Sequence, residues 1–373
     1  MRPDEIGGHA HVVGSLLRPD ELHDAVQAHD AQRLDADGLQ AVADRAVADA
    51  IRMQERAGLP VVTDGEMRRQ LFYDPYMRGL RGLSREHPGA TLRFRNEQGG
   101  RWSLTVPVSA VERVEPIEAS PLLAEYRSAQ ALTDRRVKVT LPSPMLAIRL
   151  WGEHSRDAYP SPFDLARHAA EIVHGWGTEL VAAGCRDIQI DAPELLAAFA
   201  DPQVREDYYD SQGISSEEFL EVGCELVNAV ADLPGATTLL HLCKGNGPNM
   251  FIAAGSYEHI STRFFERATS FDGFLLEYDT DRSGGFEPLA NLPDDKMAIL
   301  GLVSTKVADL ESPAAIAAAV EQASRFHPRD ALGLSPQCGF ASAAESASAR
   351  GLTEQRQFEK LELIVGCARA IWG

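Results

Sequence analysis

Thr237-Thr238-Leu239-Leu240-His241-Leu242-Cys243 is a short apolar run that ends on an imidazole and a thiol. β-Branched and aliphatic residues in a run of this length favour a buried strand. Successive strand side chains point to opposite faces, so His241 and Cys243 share one face and Leu242 takes the other. Just upstream lies Ser216–Ala231, an Ala-, Leu- and Glu-rich stretch with the character of a helix.

Outward from this run the same alternation repeats. His11–Gly14, Pro60–Thr63, Val137–Leu141, Ile188–Asp191, Gly273–Tyr278, Met297–Val303 and Ala331–Ser335 read as further strands. Gly38–Ala57, Pro162–Ala183, Ala314–Arg325 and Thr353–Ile371 read as helices. Strands alternating with helices build a parallel sheet, and eight such repeats suggest an α/β fold closed as a (β/α)8 TIM barrel. A doubly wound sheet is the alternative, but the G-x-G-x-x-G turn expected after its first strand is absent. The rhythm breaks between the second and third strands. There Thr91–Asn96 and Arg101–Val106 flank Glu97-Gln98-Gly99-Gly100 as a β-hairpin, an excursion over residues 91–113. It is expected to cover the barrel mouth, to make an oligomer contact, or to be a surface ornament.

The 373-residue chain fits one such barrel over residues 1–373 with the extra length in the hairpin region. Its net charge of −19 leaves no basic excess to displace counterions, so nucleic acid is not an expected partner. No apolar run is long enough to span a membrane, and the N-terminal Met1–Gly14 lacks the pattern of a secretion signal. A cytoplasmic enzyme is the expectation, with a homo-oligomer left open. Five sparse cysteines argue against a disulfide framework. Cys185, Cys224 and Cys367 fall in helix-like or strand-entry contexts and read as packing.

Barrel enzymes carry their chemistry just past the C-terminal ends of the strands. Ser15, Asp64 and Glu66, Asp191, His241 and Cys243, Glu277 and Asp279, Ser304-Thr305-Lys306 and Cys338 all fall there. One imidazole and two thiolates suit Zn²⁺ in a tetrahedron, and a carboxylate from the sixth strand, Glu277 in preference to Asp279, would complete the shell. A core histidine beside a buried cysteine is the plainer interpretation of His241 and Cys243 taken alone. Two thiolates make zinc a poor activator of water but leave it suited to an incoming thiol, which it deprotonates. The chemistry indicated is alkyl transfer to sulfur. Glu66 and Asp191 can hold an ammonium group or act as an acid–base pair, although Asp64 and Asp191 also suit helix capping. Arg18, Arg68, Arg69, Lys244 and Lys306 lie near the same face and are candidates for binding an anionic substrate.

Gly14-Ser15, Asp64-Gly65-Glu66, Ile188-Gln189-Ile190-Asp191, His241-Leu242-Cys243, Leu276-Glu277 and Cys338-Gly339 together resemble the catalytic barrel of cobalamin-independent methionine synthase. The resemblance runs over nearly the whole chain. It implies a barrel of the uroporphyrinogen decarboxylase/methionine synthase type, with His241, Cys243, Glu277 and Cys338 holding Zn²⁺. It further implies that Glu66 and Asp191 grip the amino group of homocysteine, and that backbone around Gly14-Ser15 seats its carboxylate. Three departures stand out. The chain has room for one barrel, whereas the long folate-dependent enzyme has two. No histidine follows the seventh strand, where Ser304-Thr305-Lys306 stands, and Ala192 replaces the usual acidic residue after Asp191. The implied function is methylation of homocysteine to methionine by a donor other than folate polyglutamate. The alternatives are epoxide opening by coenzyme M and a metal-free enzyme like uroporphyrinogen decarboxylase.

Overall fold

The computed structural model describes residues 6–117, 119–210, 213–247, 249–343 and 351–373. Its centre is a seven-stranded parallel sheet. The strands are β1 (Val61–Val62), β6 (Arg136–Pro142), β7 (Asp187–Asp191), β8 (Thr237–Leu242), β9 (Gly273–Glu277), β10 (Met297–Val303) and β11 (Leu332–Pro336), side by side in that order. Helices Ala36–Ala57, Pro162–Ala182, Ser216–Ala231, Pro313–Ala323 and Glu354–Trp372 lie within a residue or two of the spans expected from sequence.

The first expected strand, His11–Gly14, is a correction: it forms no ladder. Ala10 makes a single parallel bridge to Leu334, flanked by His11 N to Leu334 O (2.8 Å) and Leu334 N to His9 O (2.7 Å). Carbonyls of this segment are met by side chains: Lys138 Nζ donates to Val12 O and Thr63 Oγ1 to Gly14 O. A main-chain strand therefore gives way to an extended segment between β11 and β1.

The sheet's two faces sort the side chains by parity. Ile188, Ile190, Leu240, Leu242, Phe274, Leu276, Ala298 and Leu300 belong to the large core shared with the helices. The opposite face carries Leu239, Leu275, Met297 and Ile299, which join Ile6, Val13 and Ala331 in a small second core. Further along that face, two residues on, stand His241 and Glu277, with Asp191 and Gln189 on the neighbouring strand. An apolar plug thus fills one end of the concave face, and buried polar groups the other.

Two antiparallel ribbons stand apart from the sheet. β3 (Thr91–Arg95) pairs with β4 (Arg101–Thr105) across a turn in which Asn96 Oδ1 accepts from Gly100 N at 2.7 Å. β2 (Leu80–Ser84) pairs with β5 (Ser109–Pro116). This second ribbon lacks a tight turn between its strands, because the first ribbon is inserted there, and so it left no local signal in the sequence.

Leu240, fully buried between sheet and helices, tests this packing. Leu240→Ala is expected to lower unfolding free energy by about 2–5 kcal/mol in urea titrations. A loss below about 1 kcal/mol would mean that this face is not packed as described.

Candidate functional site

His241 is the penultimate residue of β8, Cys243 directly follows the strand, and Cys338 lies two residues past β11. Their ligand atoms all come within 4.8 Å of one another, and all three residues are buried. The Cys243 and Cys338 sulfurs are 3.5 Å apart and form no disulfide. A tetrahedral ion with bonds of about 2.3 Å to sulfur separates its two sulfurs by about 3.8 Å, so the pair is spaced for one ion. Neither ring nitrogen of His241 has a hydrogen-bond partner among the described residues. Unmet buried polar atoms are costly, and a metal would satisfy one of these. The sulfur–sulfur contact, helped by the nearby imidazole, holds the Cys338 thiol well below its ordinary range against the effect of burial. The same contact, reinforced by burial, pushes the Cys243 thiol well above its own. One of the two sulfurs is therefore poised as an anion, and the donor set fits a thiophilic divalent ion.

Glu277, the expected fourth ligand, is not brought into this group. Its Oε2 accepts from Lys244 N at 2.9 Å, and its Oε1 faces Arg282 Nη2 at 2.5 Å and Lys306 Nζ at 3.4 Å. Burial opposes its ionisation, but Lys306, Lys244 and Arg282 outweigh that and hold it down to about 2. Asp279 is taken up by Ser304, whose hydroxyl donates to it at 2.8 Å.

Glu66 and Asp191 share the cleft with the trio. Gly65 and Glu66 have φ of +69° and +56°, a left-handed pair that turns the Glu66 side chain inward. A non-glycine residue held there is under strain, and its surroundings fix it. Asp64 Oδ1 accepts from Glu66 N at 2.9 Å, and Arg18 Nη2 donates to Glu66 O at 2.8 Å. Asp64 is thus a turn-former. Thr140 Oγ1 donates to Glu66 Oε1 at 2.7 Å, while Oε2 has no partner among the described residues. Burial raises Glu66 to about 7, with Arg69 opposing. Asp191 is raised by burial too, against the opposing influence of His241. It accepts from Gln189 Nε2 at 2.7 Å, and Gln189 accepts from the buried Lys138. Gly14 must lack a side chain, since a Cβ there would lie 2.9 Å from Glu66 Oε1. A Cβ on Gly339 would strike Ser15 Oγ at 2.0 Å, so backbone from two strand ends meets here.

The cleft is open to solvent and is lined by Ser15, Glu66, Asp191, His241, Cys243 and Cys338. Its roof is the β3–β4 ribbon, through Leu92, Phe94, Trp102 and Leu104. That ribbon is fastened to the loop after β8 by reciprocal main-chain bonds of 2.9 Å between Arg95 and Phe251, and to the segment between β7 and β8 by the Arg95–Asp201 ion pair.

The five basic candidates are all engaged within the protein. Arg18 donates to the carbonyls of Leu16, Ala341, Glu66 and Arg69. Arg69 pairs with Glu66 and Glu125, and Arg68 with Asp44. Lys244 meets Glu277 O and Ser283, and Lys306 meets Glu277. Instead, the cation in the cleft wall is Arg149, which sequence reasoning missed. Its signal was a lone charge in the apolar stretch Pro144–Trp151. Cys185, Cys224 and Cys367 are buried away from the cleft, as their contexts suggested.

With this geometry in hand, comparison with known proteins is direct. The family described as cobalamin-independent synthase, catalytic domain, matches residues 10–360. The uncharacterized protein YxjG of Bacillus subtilis is 31% identical over 366 residues, covering 96% of this chain and 93% of that protein. A methionine synthase of Saccharolobus solfataricus is 24% identical over 335 residues, covering 88% of this chain and 87% of its own. Among solved structures, a B12-independent methionine synthase from Shewanella sp. W3-18-1 in complex with selenomethionine superposes with a TM-score of 0.74 at 20% identity, covering 97% of both chains.

The raised Glu66 carboxyl makes stability depend on pH. Folded Glu66 takes up a proton near 7 and unfolded Glu66 near 4.5, so its favourable contribution is complete below 4.5 and is lost as pH rises toward 7. In urea titrations, the stability of the parent relative to Glu66→Gln is expected to fall across that window by up to about 3 kcal/mol. A difference that does not change with pH would contradict this assignment.

Proposed function

The chain belongs to the cobalamin-independent synthase family, of catalytic-domain type, and on that premise we propose that it methylates the sulfur of homocysteine to give methionine. The observation that carries the proposal is the meeting of the His241–Cys243–Cys338 trio with Glu66 and Asp191 in one cleft. The accompanying fold proposal is a single closed (β/α)8 barrel over residues 1–373, with the β3–β4 ribbon as an insertion between its second and third strands. Among the described residues no helix is long and apolar enough to cross a membrane, and we place the enzyme in the cytoplasm.

His241, Cys243 and Cys338 would hold Zn²⁺, with Glu277 as an exchangeable fourth ligand beside Cys243 that must release Arg282 and Lys306 to serve. When bound, zinc would lower the pKa of the acceptor thiol, so that its sulfur is nucleophilic at neutral pH. Glu66 and Asp191 would grip the ammonium group, which supplies the partner that Glu66 Oε2 lacks and keeps both carboxyls ionised. Backbone at Gly14-Ser15 would seat the carboxylate. The sulfur–carbon bond forms as the donor–methyl bond breaks. The bonding pair leaves with the donor heteroatom, which then takes a proton, while the thiol proton is given up on binding. Alternatively, Asp191 leaves the ammonium group to Glu66 and takes that proton itself. The ribbon would shield the reacting groups from water. The donor we infer is simpler than folate polyglutamate.

Elemental analysis of the purified chain is expected to find about one zinc per chain, and His241→Ala or Cys338→Ala to lower this below about 0.2 while the circular dichroism stays native. A metal-free parent would favour the decarboxylase-like alternative. Isothermal titration of the zinc-loaded protein should show homocysteine binding that Glu66→Gln weakens roughly 10-fold or more. Binding of coenzyme M alone would overturn the choice of acceptor.

A further inference from the structure

The cleft carries both signs of charge. Glu66, Asp191 and the His241–Cys243–Cys338 trio line it together with Arg149 and Tyr73. Among the described residues the Arg149 guanidinium makes no hydrogen bond and no ion pair, in contrast to Arg18, Arg68 and Arg69. Tyr73 is 2% exposed, and its hydroxyl has no partner among the described residues. Burial pushes this phenol up to about 12, opposed by Arg149, so it stays a neutral donor with the guanidinium close by. The partly exposed Arg149 guanidinium and the buried Tyr73 hydroxyl thus line one cleft, neither with a hydrogen-bonded acceptor among the described residues, and the buried Glu194 carboxyl feels the Arg149 charge without an ion pair to it. A buried hydroxyl is costly to leave unmet, and charge-assisted bonds from a guanidinium to a carboxylate or phosphate are strong. The surrounding wall is apolar and aromatic: Phe72 stacks edge-on against Tyr73 at 5.0 Å, and Phe94 and Trp102 of the ribbon lie 4.8 Å apart.

We propose that Arg149 and Tyr73 form the anion-binding end of the methyl-donor subsite, so that the donor carries an anionic group on a flat or apolar body held beneath the ribbon. This rests on the methyl-transfer assignment above and adds the donor's chemical class to it. Arg149 is a specificity residue, distant in role from the acceptor's grip at Glu66 and Asp191. Its fork recognises a planar anion in a way that the same apolar wall cannot, which separates an anionic donor from a neutral one of equal shape.

The test uses benzoate and its neutral isostere benzamide as probes of the full, zinc-loaded chain saturated with homocysteine, read by isothermal titration. Benzoate is expected to bind at least about 10-fold more tightly than benzamide, and Arg149→Met to erase that preference while leaving benzamide unchanged. Arg149→Lys keeps the charge without the fork and should retain part of the preference, which guards against a misfolded Met variant. Tyr73→Phe should weaken benzoate by a smaller factor. Equal binding of the two probes, or a preference that survives Arg149→Met, overturns the proposal. So does displacement of benzoate by homocysteine together with a loss of homocysteine affinity in Arg149→Met, since Arg149 would then serve the acceptor's carboxylate. Failure of every methyl donor to react, with benzoate discrimination intact, would count against the methyl-transfer assignment and leave the anion subsite standing.

Discussion

Everything in the site depends on the parallel register of the central strands. Pro142 pairs with Asp191, Asp191 with His241, and His241 with Leu275, so the strand ends stand level. Neighbouring parallel strands lie about 4.8 Å apart, which brings Asp191 beside His241. A slip of one residue would turn every one of these side chains into the helix-facing core. Such a slip is expensive, because it would drive Asp191, His241 and Glu277 into the apolar helix-facing core and turn Leu240, Leu242 and Leu276 onto the opposite face. Structural stability and the alignment of the site are consequences of one alternation.

Ionisable groups buried at one end of the sheet's concave face are costly unless paired, and the chain pairs many of them with short polar links. Lys138, Gln189 and Asp191 form a chain under the cleft, Arg18 ties four carbonyls around Glu66, and Lys244, Arg282 and Lys306 surround Glu277. Among the buried side-chain atoms that lack a partner within the described residues, both nitrogens of His241, Oε2 of Glu66 and the Tyr73 hydroxyl belong to residues lining the one cleft. Unmet polar atoms gathered in a cleft are where a ligand can make the missing bonds.

Much of this was legible in the sequence, for identifiable reasons. Seven of the eight strand runs appear as ladder strands, because parallel strands buried on both faces leave near-continuous apolar runs. The trio was legible because thiols and imidazole at strand ends are rare and chemically specific. The His11–Gly14 segment was not, since its register is set by side chains of Thr63 and Lys138 far along the chain. The β2–β5 ribbon was hidden for a similar reason: its partners are separated by another hairpin.

By itself the sequence determined seven strands of the parallel sheet, which face their side chains take, and which donor atoms sit at their ends, because period and composition are local properties. Only the tertiary structure decided which charges are spent and which are free. Arg18, Arg69, Lys244 and Lys306 look as available as Arg149 in a list of residues. They differ because the first four find carbonyls or carboxylates brought in from distant segments, while Arg149 faces a cleft roofed by aromatic side chains. Pairing is a property of the packed chain: it depends on which groups meet out of water, and no local pattern records that.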